Sequence, residues 1–286
     1  MQNQVVSSTC RLGDLWHQAS LLIGRLEARF LLQKATGCRH TDLIAYPERE
    51  IINSQAQAFE ALVQRRKAGE PLAYLLEEAE FYGREFIVSP AVLIPREDTQ
   101  VLVDQAANWI KKKGEKKIRV LELGTGSGIV AITLALLFPD IEVTATDISL
   151  DALNIAQKNA LKHKVTIRYF SGSWFEPVTG EVFDLIVSNP PYVAENDPHL
   201  FRDGLPFEPQ IALTDGVSGG GGLACIKAII ANAHAFLRPG GALMIEHGYD
   251  QAEAARALLQ IAGYENVASW KDSANIERVS SGDRSD

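Results

Sequence analysis

Apolar positions in the first 75 residues recur at three- and four-residue spacing, the mark of helices that each bury one face. Leu15, Ala19, Leu22, Ile23, Leu26, Phe30 and Leu31 predict one helix over residues 14–35, with Gly37 where it would stop. Thr41 and Asp42 stand where a short helix carrying Leu43, Ile44 and Tyr46 would be capped. Ile51, Ile52, Ala58, Phe59, Leu62 and Val63 place a third helix over residues 48–67, closed by Gly69 and Pro71. Residues 1–75 thus read as a small helical bundle, and residues 76–97 as a β-hairpin linker. The alternation in EFYGREFIVSPAVLIPR, with Gly83 and Pro90, gives that hairpin over residues 80–96.

From residue 98 to 286 the pattern changes period repeatedly. Helices are expected over 98–112, 128–138, 149–162, 223–237 and 251–261. Apolar strands are expected over 118–123, 141–147, 165–170, 183–188, 242–246 and 264–270. Ser149 caps the third of these helices, and Pro239-Gly240 ends the fourth. Strands alternating with helices imply an α/β domain, a mostly parallel sheet covered on both faces. Residues 264–270 and 276–280 are joined by only five residues, too few for a crossover helix, so the last strand runs antiparallel.

Composition narrows the function classes. The 286 residues carry 28 Lys+Arg against 36 Asp+Glu, a net charge of −8. The first 80 residues hold 9 basic and 10 acidic side chains, so neither half is a basic module. That argues against a broad phosphate-neutralising surface, and no direct nucleic-acid partner is expected. Cys10, Cys38 and Cys225 form no C-x-x-C pair, and the six histidines show no ligand spacing, so neither a disulfide framework nor a metal is expected. The longest apolar run, residues 129–138, is too short for a bilayer, and the N-terminus has no leader pattern. A soluble cytoplasmic protein with no membrane partner is the expectation.

Two motifs carry chemistry. VLELGTGSG places Gly124, Thr125, Gly126, Ser127 and Gly128 between a strand and its helix. Glycines let the backbone turn tightly and approach a ligand. A dinucleotide turn prefers G-x-G-x-x-G, but here residue 129 is Ile; G-x-G-x-G with Glu122 two before it looks like the first motif of Rossmann-like methyltransferases. Asp147, at the end of the next strand, is placed to accept hydrogen bonds from ribose hydroxyls, a feature that NAD proteins share. The second motif is Asn189-Pro190-Pro191-Tyr192, after the strand FDLIVS. Its prolines fix φ and remove two donors. The Asn189 side-chain oxygen and the Pro190 carbonyl can each accept one N–H of a planar –NH2 group, with Tyr192 on its face. Such a nitrogen is weakly nucleophilic because its lone pair is delocalised. Fixed acceptors orient it and favour lone-pair character as the new bond forms.

Together with PLAYLLEEAEFYGREFIVSPAVLIPRED, ATDIS, GSWFE, the FEPQIAL stretch, RPGG and the ending KDSANIERVSSG, these motifs resemble the HemK/PrmC family over nearly the whole chain. The resemblance is strongest from Phe81 to Tyr192. It implies a class I methyltransferase fold and S-adenosyl-L-methionine as methyl donor, with S-adenosyl-L-homocysteine as product. The implied substrate is the glutamine side-chain amide in the Gly-Gly-Gln motif of class 1 peptide chain release factors, which places the protein in translation termination. Carried over by position, Gly124, Thr125, Gly126, Ser127 and Gly128 would cradle the cofactor. Asp147 would hold its ribose, Trp174 would lie beside the adenine, and Asn189 would also lie near the cofactor. Asn189, Pro190, Pro191 and Tyr192 would bind the substrate, with Phe81, Pro95 and Arg96 shaping the site from the hairpin side. The helical residues 1–75 would dock the release factor's body. Glu77 and Asn275 stand where the family usually has Gly, and Gly219, Gly220, Gly221 and Gly222 form an unusual run. An adenine-N6 nucleic-acid methyltransferase shares the Asn189–Tyr192 logic but needs a basic surface and a flipped base. A non-enzymatic binding module would have no use for the intact motif.

Overall fold

The computed structural model describes residues 10–114, 117–202 and 204–285. The reading that no leader precedes the first helix concerns residues 1–9, which lie outside them. The chain forms two compact units, Met1–Glu77 and Glu78–Asp286.

In the first unit, β1 (Cys10–Arg11) leads into α1 (Leu12–Ile23) and α2 (Arg25–Thr36). The single helix expected over 14–35 is therefore two. Gly24, at φ 85° and ψ 151°, breaks it. The break changes which side chains face inward. Leu12, Ala19, Ala28, Leu31 and Leu32 are buried, whereas Leu22 and Leu26 are 52% and 57% exposed. Trp16 bridges the kink, its indole N–H donating to the Arg25 carbonyl at 3.1 Å. In α3 (His40–Ala45), Asp42 reaches back to accept from the Arg39 backbone N–H at 2.9 Å. The chain then forms β2 (Glu50–Ile51), paired antiparallel with β1, so α4 (Asn53–Lys67) starts five residues later than expected. Phe59 and Val63 of α4 close the core. After α5 (Leu72–Leu76), Glu77 adopts φ 62°, the left-handed conformation that suits Gly. Lys34 steadies it, its Nζ lying 2.6 Å from Glu77 Oε2 and donating to the Leu76 carbonyl.

The second unit opens with the hairpin β3 (Glu78–Phe81) and β4 (Arg84–Ile87). It is shorter than the expected 80–96, and it is built into this unit rather than left as a linker. Asn159 holds it: the side chain bonds both the N–H and the carbonyl of Ile87, at 2.7 and 2.9 Å, and also the Ser127 carbonyl. Helix α6 (Gln100–Lys113) precedes β5 (Arg119–Leu123), α7 (Ile129–Leu137), β6 (Glu142–Asp147), α8 (Leu150–His163), β7 (Arg168–Ser171) and β8 (Phe183–Ser188). Ser149 caps α8, accepting from the Ala152 N–H. The short α9 (Gln210–Leu213) and α10 (Ala224–Ala233) lead to β9 (Leu237–Glu246), α11 (Ala252–Ile261), β10 (Glu265–Lys271) and β11 (Glu277–Asp283).

These strands form one seven-stranded sheet in the order β10-β11-β9-β8-β5-β6-β7. All neighbours from β9 to β7 are parallel, and β11 is antiparallel to both of its neighbours. Both faces are buried by strand alternation. Val120, Leu185, Val187 and Met244 share a core with α6 and α7. Leu121, Leu123, Ile186 and Ile245 share another with α10 and α11. Pro239-Gly240 does not end a helix, because α10 stops at Ala233 and Pro239 lies within β9. A register shift between Phe183 and Leu185 absorbs the extra residues there, in the position that a strand proline requires. Asn275, at φ 66°, turns the final hairpin in the conformation where Gly was expected.

Candidate active site

After β5 the chain steps outward through β6 and β7, then returns to the other side of β5 as β8. The strand order reverses there, and the crevice beyond the strand ends is where α/β sheets bind ligands. The glycine turn leaves β5 and the Asn-Pro-Pro-Tyr corner leaves β8, so the topology sets them side by side. The Ser188 hydroxyl bonds the Leu123 carbonyl between them at 2.9 Å.

Gly124, Gly126 and Gly128 all have positive φ, at 68°, 56° and 84°. They do different work. A Cβ on Gly126 would meet nothing within 4 Å, so this position opens toward the pocket. A Cβ on Gly128 would press on Ile132 and Ala156 at 3.0 and 3.2 Å, so this position lets α7 approach α8. A Cβ on Gly124 would lie 3.5 Å from the Trp174 ring, which covers the turn. The N–H groups of Gly124 and Thr125 both donate to the Thr146 carbonyl, at 2.9 and 3.0 Å. Asp147 braces the turn: Oδ2 accepts from the Gly126 N–H at 2.8 Å, and Oδ1 from the Ser149 N–H at 2.9 Å. Burial pushes its carboxyl above the usual range, against the pull of those backbone donors. Glu122, 3% exposed, accepts from the Thr125 hydroxyl at 2.5 Å and the Ala131 N–H at 3.1 Å. Burial pushes its pKa up to about 8.

Across the crevice, the Asn189 Nδ2 donates to the Thr99 hydroxyl oxygen at 3.1 Å. Its Oδ1 is thereby left as the acceptor. The Tyr192 hydroxyl donates to Oε1 of Glu246 at 3.2 Å, and burial raises the phenol's pKa strongly. The Tyr192 carbonyl accepts from Gln251 Nε2 at 2.9 Å, and the same amide group binds the Gly221 carbonyl. Gly222 packs so closely that an added Cβ would lie 2.0 Å from the Tyr192 carbonyl oxygen. The glycine run thus has a structural use: it lies flush against the back of the corner and is latched there by Gln251.

One cavity of about 220 Å³ joins these parts. Gly124, Thr125, Gly126, Ser127, Asp147 and Trp174 line it on one side, with Asn189, Pro191, Pro95 and Arg96 on the other. Gly128 and Pro190 are buried just behind it. Tyr192 backs the corner through its hydroxyl and ring packing rather than lining the cavity. Phe81 is not brought to the site. It is 2% exposed and packs edge-on against Phe86, because both face the core side of the hairpin. The Arg96 guanidinium, expected to meet substrate, is engaged by buried Glu208 at 2.5 Å; Glu208 also accepts from the Ile94 N–H. Arg96 therefore ties the loop after the hairpin to the segment before α9.

Sequence reading missed Thr99, Glu208, Glu246 and Gln251. Glu246 had a usable signal, an acid ending the wholly apolar run ALMI next to the motif strand. Glu208 lay inside the FEPQ stretch without an assigned role. Thr99 had no signal, since a lone Thr at a helix start reads as a cap. Among the described residues no cluster of His, Cys, Asp and Glu is arranged to hold a metal, and no helix is long and apolar enough to cross a membrane.

Comparison with known proteins agrees with this architecture. Residues 98–201 match the family "Methyltransferase small domain", and residues 18–76 match the family "PrmC N-terminal domain". A Release factor glutamine methyltransferase of Bordetella pertussis is 47% identical over 259 residues, covering 90% of this chain and 94% of the relative. One of Escherichia coli K12 is 41% identical over the same length, covering 90% and 91%. Among solved structures, a methyltransferase from Pyrococcus furiosus superposes with a TM-score of 0.52 at 19% identity, over 79% of this chain and 98% of that one. A Thermus thermophilus 16S rRNA methyltransferase gives 0.53 at 21% identity, over 72% of this chain and 49% of that one. At those identities the two structures show the fold alone: a class I methyltransferase sheet. With this identity to relatives along nine-tenths of its length, the chain belongs to the release factor glutamine methyltransferase family.

Proposed function

We propose that this protein transfers a methyl group from S-adenosyl-L-methionine to the side-chain amide nitrogen of the glutamine in the Gly-Gly-Gln motif of class 1 peptide chain release factors. The observation that carries this reading is the Asn189 carboxamide, tethered through Nδ2 so that its oxygen remains to accept. A primary amide nitrogen offers two N–H donors. Asn189 Oδ1 supplies one acceptor from a rigid corner, and the Pro190 carbonyl would supply the second.

The cofactor reading rests on the cradle opposite. Gly126 leaves space that any Cβ would fill, Trp174 offers an aromatic wall beside Gly124, and Asp147 offers a carboxylate at the strand end. Gly124, Gly126, Asp147 and Trp174 would hold S-adenosyl-L-methionine, with Asn189 near both ligands. When bound, the cofactor supplies an electrophilic methyl carbon and leaves as S-adenosyl-L-homocysteine. The protein's own part is positional. Asn189 and Pro190 fix the rotation of the amide, so that the nitrogen lone pair, not an N–H, points along the line of transfer. As the nitrogen gains its methyl carbon it becomes more acidic and sheds one proton to water. The two acceptors hold partial positive charge most strongly at that stage, so they favour the transition state over the ground state. No covalent protein intermediate is needed.

The first unit serves recognition in this reading. A single glutamine offers little area, whereas standard protein interfaces bury about 1,600 Å². Leu21, Leu22 and Leu26 are exposed apolar side chains of α1 and α2 and would meet the release factor's body. Three free cysteines and a formal net charge of −8 suit a cytoplasmic enzyme acting on a protein rather than on nucleic acid. The test is methyl transfer from labelled S-adenosyl-L-methionine, with intact release factor, the same factor with the motif glutamine replaced, and duplex DNA side by side. Label on the first alone, located on the glutamine side chain by fragmentation mass spectrometry, is the expected result. Label on DNA, or retained after the glutamine is replaced, would contradict it.

A further inference from the structure

The Asn-Pro-Pro-Tyr corner cannot anchor itself. Pro190 and Pro191 have no N–H to give, so the peptide that carries the Pro190 carbonyl has no donor of its own and takes its place from its flanks. Upstream, the Asn189 Nδ2 reaches Thr99. Downstream, the Tyr192 hydroxyl reaches Glu246, and the Tyr192 carbonyl, the first after the prolines, accepts from Gln251 Nε2 at 2.9 Å. Gln251 is 7% exposed, and its three side-chain hydrogen bonds are all to backbone. Its Oε1 accepts from the Gly248 N–H at 2.8 Å, and its Nε2 donates to the Tyr192 and Gly221 carbonyls, both at 2.9 Å. A backbone N–H can only donate and a carbonyl can only accept, so these contacts fix which end of the amide is which. The corner, the glycine run and the turn between β9 and α11 therefore meet on one side chain.

Nothing local calls for glutamine here. Gln251 is the N-cap of α11, a place that favours Ser, Thr, Asn or Asp, yet its side chain makes no bond to the N–H groups of that helix. It turns back instead. The Gln251 backbone N–H bonds the Gly248 carbonyl at 3.0 Å while the side chain takes the Gly248 N–H, a tight turn that aims the amide at the corner. On the far side the fit requires glycine. A Cβ on Gly222 would lie 3.0 Å from Gln251 Nε2 as well as 2.0 Å from the Tyr192 carbonyl oxygen. One –NH2 group thus sits between two carbonyl oxygens from different segments. Without it they would share no proton, and two buried acceptors would be left unpaired against each other.

We propose that Gln251 is a positioning residue: by holding the Tyr192 carbonyl it fixes the backbone of the Asn-Pro-Pro-Tyr corner, and with it the direction of the Pro190 carbonyl toward the acceptor nitrogen. The kinetic consequence rests on the amide-methylation reading, while the anchoring of the corner does not.

The experiment uses the full-length protein and two variants, Gln251→Met and Gln251→Glu. Gln251→Met keeps the reach of the side chain and removes its hydrogen bonds. Gln251→Glu keeps an acceptor for the Gly248 N–H; ionised it has no donor, and protonated it regains one. The direct readout is the Pro190 carbonyl carbon. Pro190-Pro191 is the one Pro-Pro pair in the sequence, so a sample labelled with 13C and 15N in proline alone gives a single carbonyl–nitrogen correlation. Cofactor Kd by calorimetry and kcat on intact release factor at saturating cofactor are read beside it, below the melting temperature of each variant. The Pro190 signal should move in both variants. Each should lower kcat by about tenfold to a hundredfold with cofactor Kd unchanged, because the cradle lies on the opposite wall. A general loosening of the fold would weaken cofactor binding too. In Gln251→Glu, kcat relative to wild type should rise as the pH falls and the carboxyl takes up its proton. A Pro190 signal that stays in place would overturn the proposal. So would kcat within twofold of wild type in Gln251→Met, or cofactor binding weakened as much as turnover. If Gln251→Met does not fold, Gln251→Glu decides by the same signal and by the pH trend, whose absence overturns the proposal. If the wild-type protein transfers no methyl to release factor, the substrate reading fails, and the Pro190 signal alone decides the role of Gln251.

Discussion

The two walls of the pocket are made of different material. The wall after β5 and β6 is mostly backbone: three glycines with positive φ, whose N–H groups bond the Thr146 carbonyl, the Asp147 carboxylate and the Thr125 carbonyl. The wall after β8 and β9 is mostly side chain, with Asn189 bonded to Thr99, Tyr192 bonded to buried Glu246, and Gln251 latched behind. A backbone cradle binds by shape and tolerates change in its neighbours. A side-chain network holds one orientation and loses it when any member changes. The first wall suits a cofactor that is the same in every turnover. The second suits a weak nucleophile that must be aimed.

That contrast can be broken at several points. The largest effect is expected at Gly222→Ala. The new Cβ would lie 2.0 Å from the Tyr192 carbonyl oxygen, at a backbone φ of 72° that disfavours alanine. A loss of about 2–4 kcal/mol in stability is expected by urea unfolding, with loss of activity as the corner shifts. Unchanged stability would show that the segment is not pressed against the corner.

Next is Asp147→Ala on the cofactor wall. It removes the acceptor for the Gly126 and Ser149 N–H groups and the carboxylate proposed to meet the ribose. Cofactor binding should weaken by about 1–3 kcal/mol, and turnover at saturating cofactor should fall far less. Calorimetry showing an unaltered Kd would remove Asp147 from the cofactor site.

An effect that depends on pH is expected from the buried acids. Glu122, with its pKa pushed up to about 8, and Glu246, pushed up to about 7, hold protons in the folded state at pH values where the unfolded chain has released them. The folded state binds the extra protons, so stability falls as pH rises from the normal carboxyl range through these values. Glu122→Gln should flatten that fall, by on the order of 3 kcal/mol between about pH 5 and pH 8. Parallel wild-type and variant profiles would mean that Glu122 is ionised throughout. The smallest effect on the fold is expected from Leu22→Ser with Leu26→Ser. These exposed positions should leave the melting temperature unchanged while raising KM for intact release factor several-fold; an unchanged KM would count against docking through α1 and α2.

The two walls also differed in how far the sequence revealed them. The cradle was readable because backbone geometry is written directly in residue type: Gly124, Gly126 and Gly128 mark the turn, and Asp147 follows at the next strand end. Asn189 and its prolines were equally plain. Their support was not, because Thr99, Glu246 and Gln251 come from three other elements, and only the folded sheet brings them together. The same limit explains Phe81 and Arg96. The hairpin was foreseen, but which side of it met the pocket depended on how Asn159 and Glu208 hold it and the loop that follows. In the first unit the helical spacing was correct and the faces were not, since one glycine at position 24 rotated the stripe and left Leu22 and Leu26 in solvent.

The most direct test of the division between the walls is single-turnover methyl transfer to release factor by Asn189→Ala at saturating S-adenosyl-L-methionine. If the corner aims the nucleophile, the rate should fall at least about a hundredfold, as when a fixed catalytic hydrogen-bond partner is removed, even with cofactor fully bound. A rate within about threefold of wild type would contradict the division, because the acceptor nitrogen would then be aimed without the one side chain whose oxygen is held toward it.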